Sequence, residues 1–311
     1  MGLPATTAQA EAFLIRHFGG DTIRKVTRLG HGEWSKAYAF ERHGRAYVVR
    51  FSLFDEDFAK DRRAAGYSSR DLPIPAILEM GEAFGGFYAI SERAPGAYLD
   101  ELGQAEMRRA LPALFAALDA ARCADLSDSV GYGPWGADGT APYPTWRAAL
   151  LDVANDRPSS RTHGWRERLA ASPTGSGPFE EALGCLESLL DACPEERYLV
   201  HGDLLNYNVL VADDRLTAVI DWGCSLYGDF VYDIAWFALW SPWYPAWRGI
   251  DFAQAAARHY ASIGLDVPRF DERLRCYQIH IGLGGQAYNA FKRRWTDLDQ
   301  IAQRTRALAR L

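Results

Sequence analysis

The chain is 311 residues long, enough for two lobes that each bury a core, and its composition is that of a soluble globular protein. Forty acidic residues against 34 lysines and arginines give a formal charge of -6, which argues against a nucleic-acid backbone as the main partner and suits a cationic one. Cys123, Cys185, Cys193, Cys224 and Cys276 are scattered, odd in number and without a CxxC pair, so neither a disulfide framework nor a zinc ribbon is expected, and a reducing cytoplasm fits.

Residues 7–18 read as an amphipathic helix, after which "AYAF", a turn at "ERHGR" and "AYVVRF" alternate in the manner of a β-hairpin. "FDEDFAKDRRAAGYSSR" returns to a helical pattern, "LPIP" forces an extended backbone, and "AILEMGEA", "FGG" and "FYAIS" read as a second hairpin. After "APGAY" long helical stretches take over, at 105–124, 179–192 and 271–292, with one short hairpin near 209–220. Between about 127 and 178, "GYGPWGADGTAPYP" and "ASPTGSGP" predict long loops. There is no internal repeat, no basic leader followed by a long apolar stretch, and "IAWFALW" is too short to span a bilayer. The expected division is a lobe of residues 1–96, hinge included, and a lobe of 97–311.

The segment "YLVHGDLLNYNVL", residues 198–210, sets Asp203, Asn206 and Asn208 between two apolar runs, where unpaired polar groups are costly. The following hairpin explains them. Asn208 precedes the strand "VLV", "ADDR" turns the chain, and "LTAVI" runs back to Asp221, so Asn208 and Asp221 converge. Two oxygen ligands at one point suit Mg²⁺. Asp203, five residues before Asn208, faces whatever sits beside that metal and can accept the proton of an attacking hydroxyl. His201 reads more simply as a brace of the loop, and a zinc site built on it lacks further ligands.

"HGDLLNYNVL" followed by "VIDWG" resembles the H-G-D-x-x-x-x-N and I-D-W/F motifs of the aminoglycoside phosphotransferase and choline kinase family. The resemblance covers nearly the whole chain. It implies an α+β, bilobal protein-kinase-like fold: an N-terminal antiparallel sheet lobe with one helix, and a larger, mainly helical C-terminal lobe. It further implies ATP and Mg²⁺ as cofactors, Asp203 as base, and Asn208 and Asp221 on the metal. In "GDFVYDIAWF", Asp229 and Asp233 are by the same resemblance structural.

For the nucleotide, the resemblance makes "LGHGEWSKAY" the phosphate loop, with the Ser35 hydroxyl approaching the phosphates. It puts Arg50 of "YVVRFS" where the family carries a lysine, Asp61 where it carries the partner glutamate, and main-chain groups of Ser91 and Arg93 at the adenine edge. A longer cation facing a shorter carboxylate preserves the span, and arginine grips phosphate and carboxylate together.

Within the family, "YVVRFS", "LPIP", "DLSDSVGYGPWGADG" ahead of "TW", and "FALWSPW" look like the hygromycin B phosphotransferases, which implies an aminocyclitol acceptor and antibiotic resistance. In "WFALWSPWYPAW", Trp236 reads as core, while Pro242 and Pro245 break the helix near Trp240 and leave Trp240, Trp243 and the later ring free to stack on sugar faces. One departure counts the other way: "DWGCSLYGD" lacks the acidic residue that many aminoglycoside-modifying members carry after "DW". Glu101 and Asp138 are alternative acidic candidates. The expected protein is a cytoplasmic monomer with a small, cationic acceptor, and no nucleic-acid or membrane partner. The alternatives are a kinase of another hydroxylated metabolite or antibiotic, and a nucleotide-binding pseudokinase suggested by Arg50.

Overall fold

The computed structural model describes residues 6–19, 22–30 and 32–311. In chain order the elements are α1 (Thr7–Phe18), β1 (Ile23–Leu29), β2 (Ser35–Arg42), β3 (Arg45–Ser52), α2 (Glu56–Ala64), β4 (Ile77–Ala83), β5 (Gly86–Glu92), β6 (Ala97–Tyr98) and α3 (Gln104–Arg122). There follow β7 (Gly133–Pro134), α4 (Trp146–Leu151), α5 (Trp165–Ala170), α6 (Gly177–Leu189), β8 (Tyr198–Val200), β9 (Val209–Ala212), β10 (Arg215–Val219) and β11 (Leu226–Gly228). The chain ends in α7 (Val231–Trp240), α8 (Phe252–Ser262), α9 (Phe270–Lys292) and α10 (Trp295–Ala309). This is the α+β arrangement expected: an antiparallel sheet first, then a helical remainder.

The packing makes two compact units. One holds residues up to Ser129 together with 135–140 and 203–225; the other holds 130–134, 141–202 and 226–311. Division by chain order into 1–96 and 97–311 follows a different line. The hairpin β9–β10 joins the first unit because β6 pairs with β9, Ala97 opposite Val211, and because α2 bonds the segment after β10.

The first unit is built on a five-stranded sheet in the order β1-β2-β3-β5-β4. Thr6 starts α1 through a reciprocal capping box with Gln9, worth about 1 kcal/mol, and Gly19 closes it in the left-handed region. Ala10 and Leu14 of that helix pack on Tyr38, Phe40, Val49, Phe51, Tyr88 and Ile90, one face of the sheet. The opposite face carries Ala37, Ala39 and Ala89 beside Arg50 and Val48.

The second unit packs α9 against α5, α6, α7 and α10. Leu186, Ile279, Leu283, Leu298 and Ile301 are among its buried apolar residues. The long loops expected between 127 and 178 are interrupted by α4 and α5. Each is six residues long, too short for a periodic pattern to show, and each is pinned by a buried tryptophan at its first position, Trp146 and Trp165. The hairpin turn at Asp213 and Asp214 takes positive φ at both residues, the geometry of a two-residue loop whose twist matches its strands.

Candidate active site

The strand register decides which side chains share the open face of the sheet. Ala37 lies opposite Arg50, which lies opposite Ala89; Ala39 lies opposite Val48, which lies opposite Ser91. Ser35 pairs with Ser52 two residues further along, so Ser35, Arg50 and Ser91 all belong to the face away from α1. The alanines between them leave that face low. A cavity lined by Lys25, Thr27, Ala39, Ala46 and Arg93 adjoins it at the hinge end. The Arg93 main-chain N–H, expected at the adenine edge, instead donates to the Ala46 carbonyl at 3.0 Å. His31 of the expected phosphate loop lies outside the described residues.

Arg50 is held by α2. Its Nη2 donates to Asp61 Oδ2, and both side chains are well buried. The second oxygen of Asp61 accepts the main-chain N–H of Trp222 at 2.8 Å, so one carboxylate ties the Arg50 guanidinium to the residue after Asp221. The neighbouring Lys60 adds a second clamp, its Nζ donating to the carbonyls of Gly223 at 2.8 Å and Ser225 at 3.0 Å. Nothing in the sequence marks Lys60, since a lysine beside an acidic helix start carries no signal that it will be buried.

The hairpin brings the remaining groups together. Val209 pairs with Val219, and the Ile220 N–H donates to the Asn208 carbonyl at 2.8 Å, so Asp221 follows directly on the residue bonded to Asn208. The Asn208 side chain donates its Nδ2 to the Asp203 carbonyl at 2.8 Å, while Asn206 Nδ2 donates to Asp203 Oδ1 at 2.7 Å. Asp203 is thus fixed by both asparagines that the sequence placed there.

Charge is unevenly balanced at this point. Burial is the main cause that pushes the Asp203 carboxyl up to about 8, and the Asp221 and Asp100 carboxylates push the same way against the Asn206 hydrogen bond. Asp221 is raised as well, first by desolvation and then by the Asp61 carboxylate, which Arg50 only partly offsets. Asp221 keeps an exposed surface, so solvent screens that shift. Carboxylates outnumber cations around Asp203 and Asp221, an imbalance that a divalent cation relieves, so Asn208 and Asp221 fit Mg²⁺. Among the described residues no three His, Cys, Asp or Glu side chains converge as a metal cage.

In the second unit, the Asp233 carboxylate accepts the main-chain N–H groups of His201 and Gly202, both at 2.9 Å, and so braces the two residues before Asp203 in the chain. Gly202 has φ of 74°, a conformation a side chain would strain. Asp229 is fully buried against Arg273 and the Tyr277 hydroxyl, and a Cβ at Gly228 would stand 2.6 Å from the Trp146 ring. The motif "GDFVYD" is therefore a packing and bracing device. Trp236, Trp240 and Trp243 form a chain of ring contacts in which Trp243 is the most exposed, and its Nε1 donates to Gln300. The helix ends at Trp240, as Pro242 and Pro245 require. Two expectations need correction. Trp247 is buried, stacked on Tyr244 and against Phe252, and gives no wall to a sugar, while Trp236 is only half-buried. Glu101 and Asp138 are exposed, and Asp138 is turned back onto the Thr140 N–H.

Residues 25–272 match the model of the phosphotransferase enzyme family, APH. The chain belongs to that family. As a phosphotransferase it is 35% identical to hygromycin-B 4-O-kinase of Escherichia coli over 280 residues, 89% of this chain and 78% of the relative. Among solved structures it is similar to aminoglycoside phosphotransferase APH(4)-Ia, at 33% identity and a TM-score of 0.84 with 98% of this chain and 99% of that one covered. A thermostable mutant of the same protein, in ternary complex with AMP-PNP and hygromycin B, superposes with a TM-score of 0.83 at 33% identity over 96% of this chain and 97% of that one. At 15% identity, aminoglycoside 2'-phosphotransferase-IIIa shares the fold alone, with a TM-score of 0.64 over 98% of this chain and 99% of that one.

Proposed function

We propose that this phosphotransferase moves the γ-phosphoryl group of ATP to a hydroxyl of an aminocyclitol antibiotic, with hygromycin B the first acceptor to test. The observation that carries the reaction type is the gathering, around one hairpin, of Asp203, Asn208 and Asp221 with the Arg50–Asp61 pair in the same compact unit. The acceptor class is supported by the 35% identity to hygromycin-B 4-O-kinase.

In this reading Asp203, held by Asn206, takes the proton of the acceptor hydroxyl as its oxygen attacks the γ-phosphorus and the bond to the leaving ADP oxygen breaks. Arg50 grips the phosphates from the open sheet face, with Ser35 on the same face nearer the loop. Asp61 keeps Arg50 aimed and keeps Trp222 in place. Asn208 and Asp221 would hold Mg²⁺, which neutralises phosphate charge when bound. Trp240 and Trp243 supply flat apolar surface for a sugar ring, and the net charge of -6 suits a cationic acceptor. No helix among the described residues is long and apolar enough to cross a membrane, and a cytoplasmic site of action agrees with the need for ATP.

The test is direct. Purified protein with ATP, Mg²⁺ and hygromycin B should yield an antibiotic heavier by one phosphate, and Asp203→Asn should yield none. Turnover of another alcohol in its place, with hygromycin B untouched, would replace the acceptor and keep the reaction.

A further inference from the structure

Asn206 and Tyr207 are consecutive non-glycine residues in the left-handed region, with φ of 63° and 67°. A tyrosine there is strained, and two in succession need an external hold. Their two main-chain N–H groups point at one carboxylate: Asn206 N donates to Asp100 Oδ1 at 2.9 Å, and Tyr207 N donates to Asp100 Oδ2 at 3.0 Å. We infer that Asp100 is a positioning residue for phosphoryl transfer, setting the backbone of the loop between Asp203 and Asn208 so that Asn206 aims the base. This rests on the reading of Asp203 as the base.

Asp100 is itself well anchored. It sits in a short turn after β6, beside Leu99, which is wholly buried, and β6 pairs with β9 through Tyr98 and Leu210. The Tyr98 ring meets the Tyr207 ring edge-on at 5.4 Å, and Thr217 Oγ1 donates to the Pro95 carbonyl. The stretch from Pro95 to Asp100 is thereby stitched to both strands of the hairpin and ends in a bidentate acceptor under the loop. From that acceptor the geometry passes through Asn206, whose side chain donates to Asp203 Oδ1 at 2.7 Å. Water could hydrate the same two N–H groups, since Asn206 is exposed, but water would not select the left-handed backbone. A carboxylate with both oxygens engaged does select it, because the two donors must converge.

Asp100→Ala and Asp100→Asn, made in the full chain, test this. With ATP, Mg²⁺ and hygromycin B, Asp100→Ala should lower kcat about tenfold or more, with KM for ATP and acceptor shifted no more than about twofold. Asp100→Asn keeps one acceptor oxygen for the two amides and should recover part of that loss. Without any substrate, amide exchange in residues 203–208 should speed up about tenfold in Asp100→Ala while exchange in β2 and β3 is unchanged. Parent-like exchange of that segment, or parent-like kcat, in a folded Asp100→Ala chain overturns the inference. If Asp100→Ala does not fold, Asp100→Asn decides by the same two readouts. A parent chain that leaves hygromycin B unmodified overturns the acceptor reading instead, and the exchange measurement still decides whether Asp100 holds the loop.

Discussion

Arg50 on β3 and Asp61 on α2 form a buried ion pair, and the other oxygen of Asp61 accepts the Trp222 main-chain N–H. The pair therefore links the sheet face to the loop that carries Asp221. Arg50→Ala and Asp61→Ala should each raise the ATP requirement, and the double variant should be less harmed than the two effects added, with a coupling of about 1 kcal/mol or more. Asp61→Ala should also raise the Mg²⁺ requirement, because it frees Trp222. Steady-state kinetics at varied ATP and Mg²⁺ read both effects. Strict additivity would show that the two residues do not work as a unit.

Asp203→Asn should lower phosphoryl transfer by roughly 100-fold or more, the scale of a general base, while nucleotide still binds. The same substitution should stabilise the ligand-free fold at neutral pH. The folded-state carboxyl is pushed up to about 8 and the unfolded one has its ordinary value near 3.8, so the folded state keeps a proton that the unfolded state has lost. The associated stability is fully present below the unfolded value and is lost as pH rises towards 8. Asparagine removes that loss. Thermal denaturation without nucleotide or Mg²⁺ should find Asp203→Asn a few degrees above the parent at pH 7.5, about 1 kcal/mol given the partial solvent contact, with the gap closing by pH 4.5. An equal gap at both pH values would remove the titration argument.

Trp243→Ala should raise the acceptor KM with kcat and ATP binding unchanged and with less loss of stability than Trp240→Ala, because its ring is partly exposed, packing on Trp240 and bonded to Gln300. Trp240→Ala should raise the same KM but also lower stability by about 2 kcal/mol, since its ring is half-buried between Trp236 and Trp243 and near Gly285 of α9. A Trp243→Ala variant with the parent's acceptor KM would take that ring out of the acceptor wall.

Asp229→Ala should cost about 3 kcal/mol or more, read as a lower urea midpoint, because it strands Arg273 and the Tyr277 hydroxyl in the interior. Removing both charges together, Asp229→Ala with Arg273→Met, should recover part of that loss. No recovery would mean that the aspartate acts through something other than the pair.

The chemistry of this protein was legible along the chain wherever it depends on local order. Alternation in β2 to β5 foretells the sheet, Pro242 and Pro245 end α7, and the return of one hairpin is enough to bring Asn208 towards Asp221. Those relations follow from strand pairing, register and fixed φ, which act over a few residues. Tertiary structure alone decided the supports. Asp100 is 106 residues from Asn206, Lys60 is 163 from Gly223, and Asp61 is 161 from Trp222, and nothing in their own neighbourhoods marks them out. A carboxylate or ammonium on an acidic helix or turn reads as solvated until packing removes the water, and which backbone amides or carbonyls then replace that water is set by where distant strands and helices meet. The charge types at the site belong to the sequence; the pairing that aims them belongs to the packing.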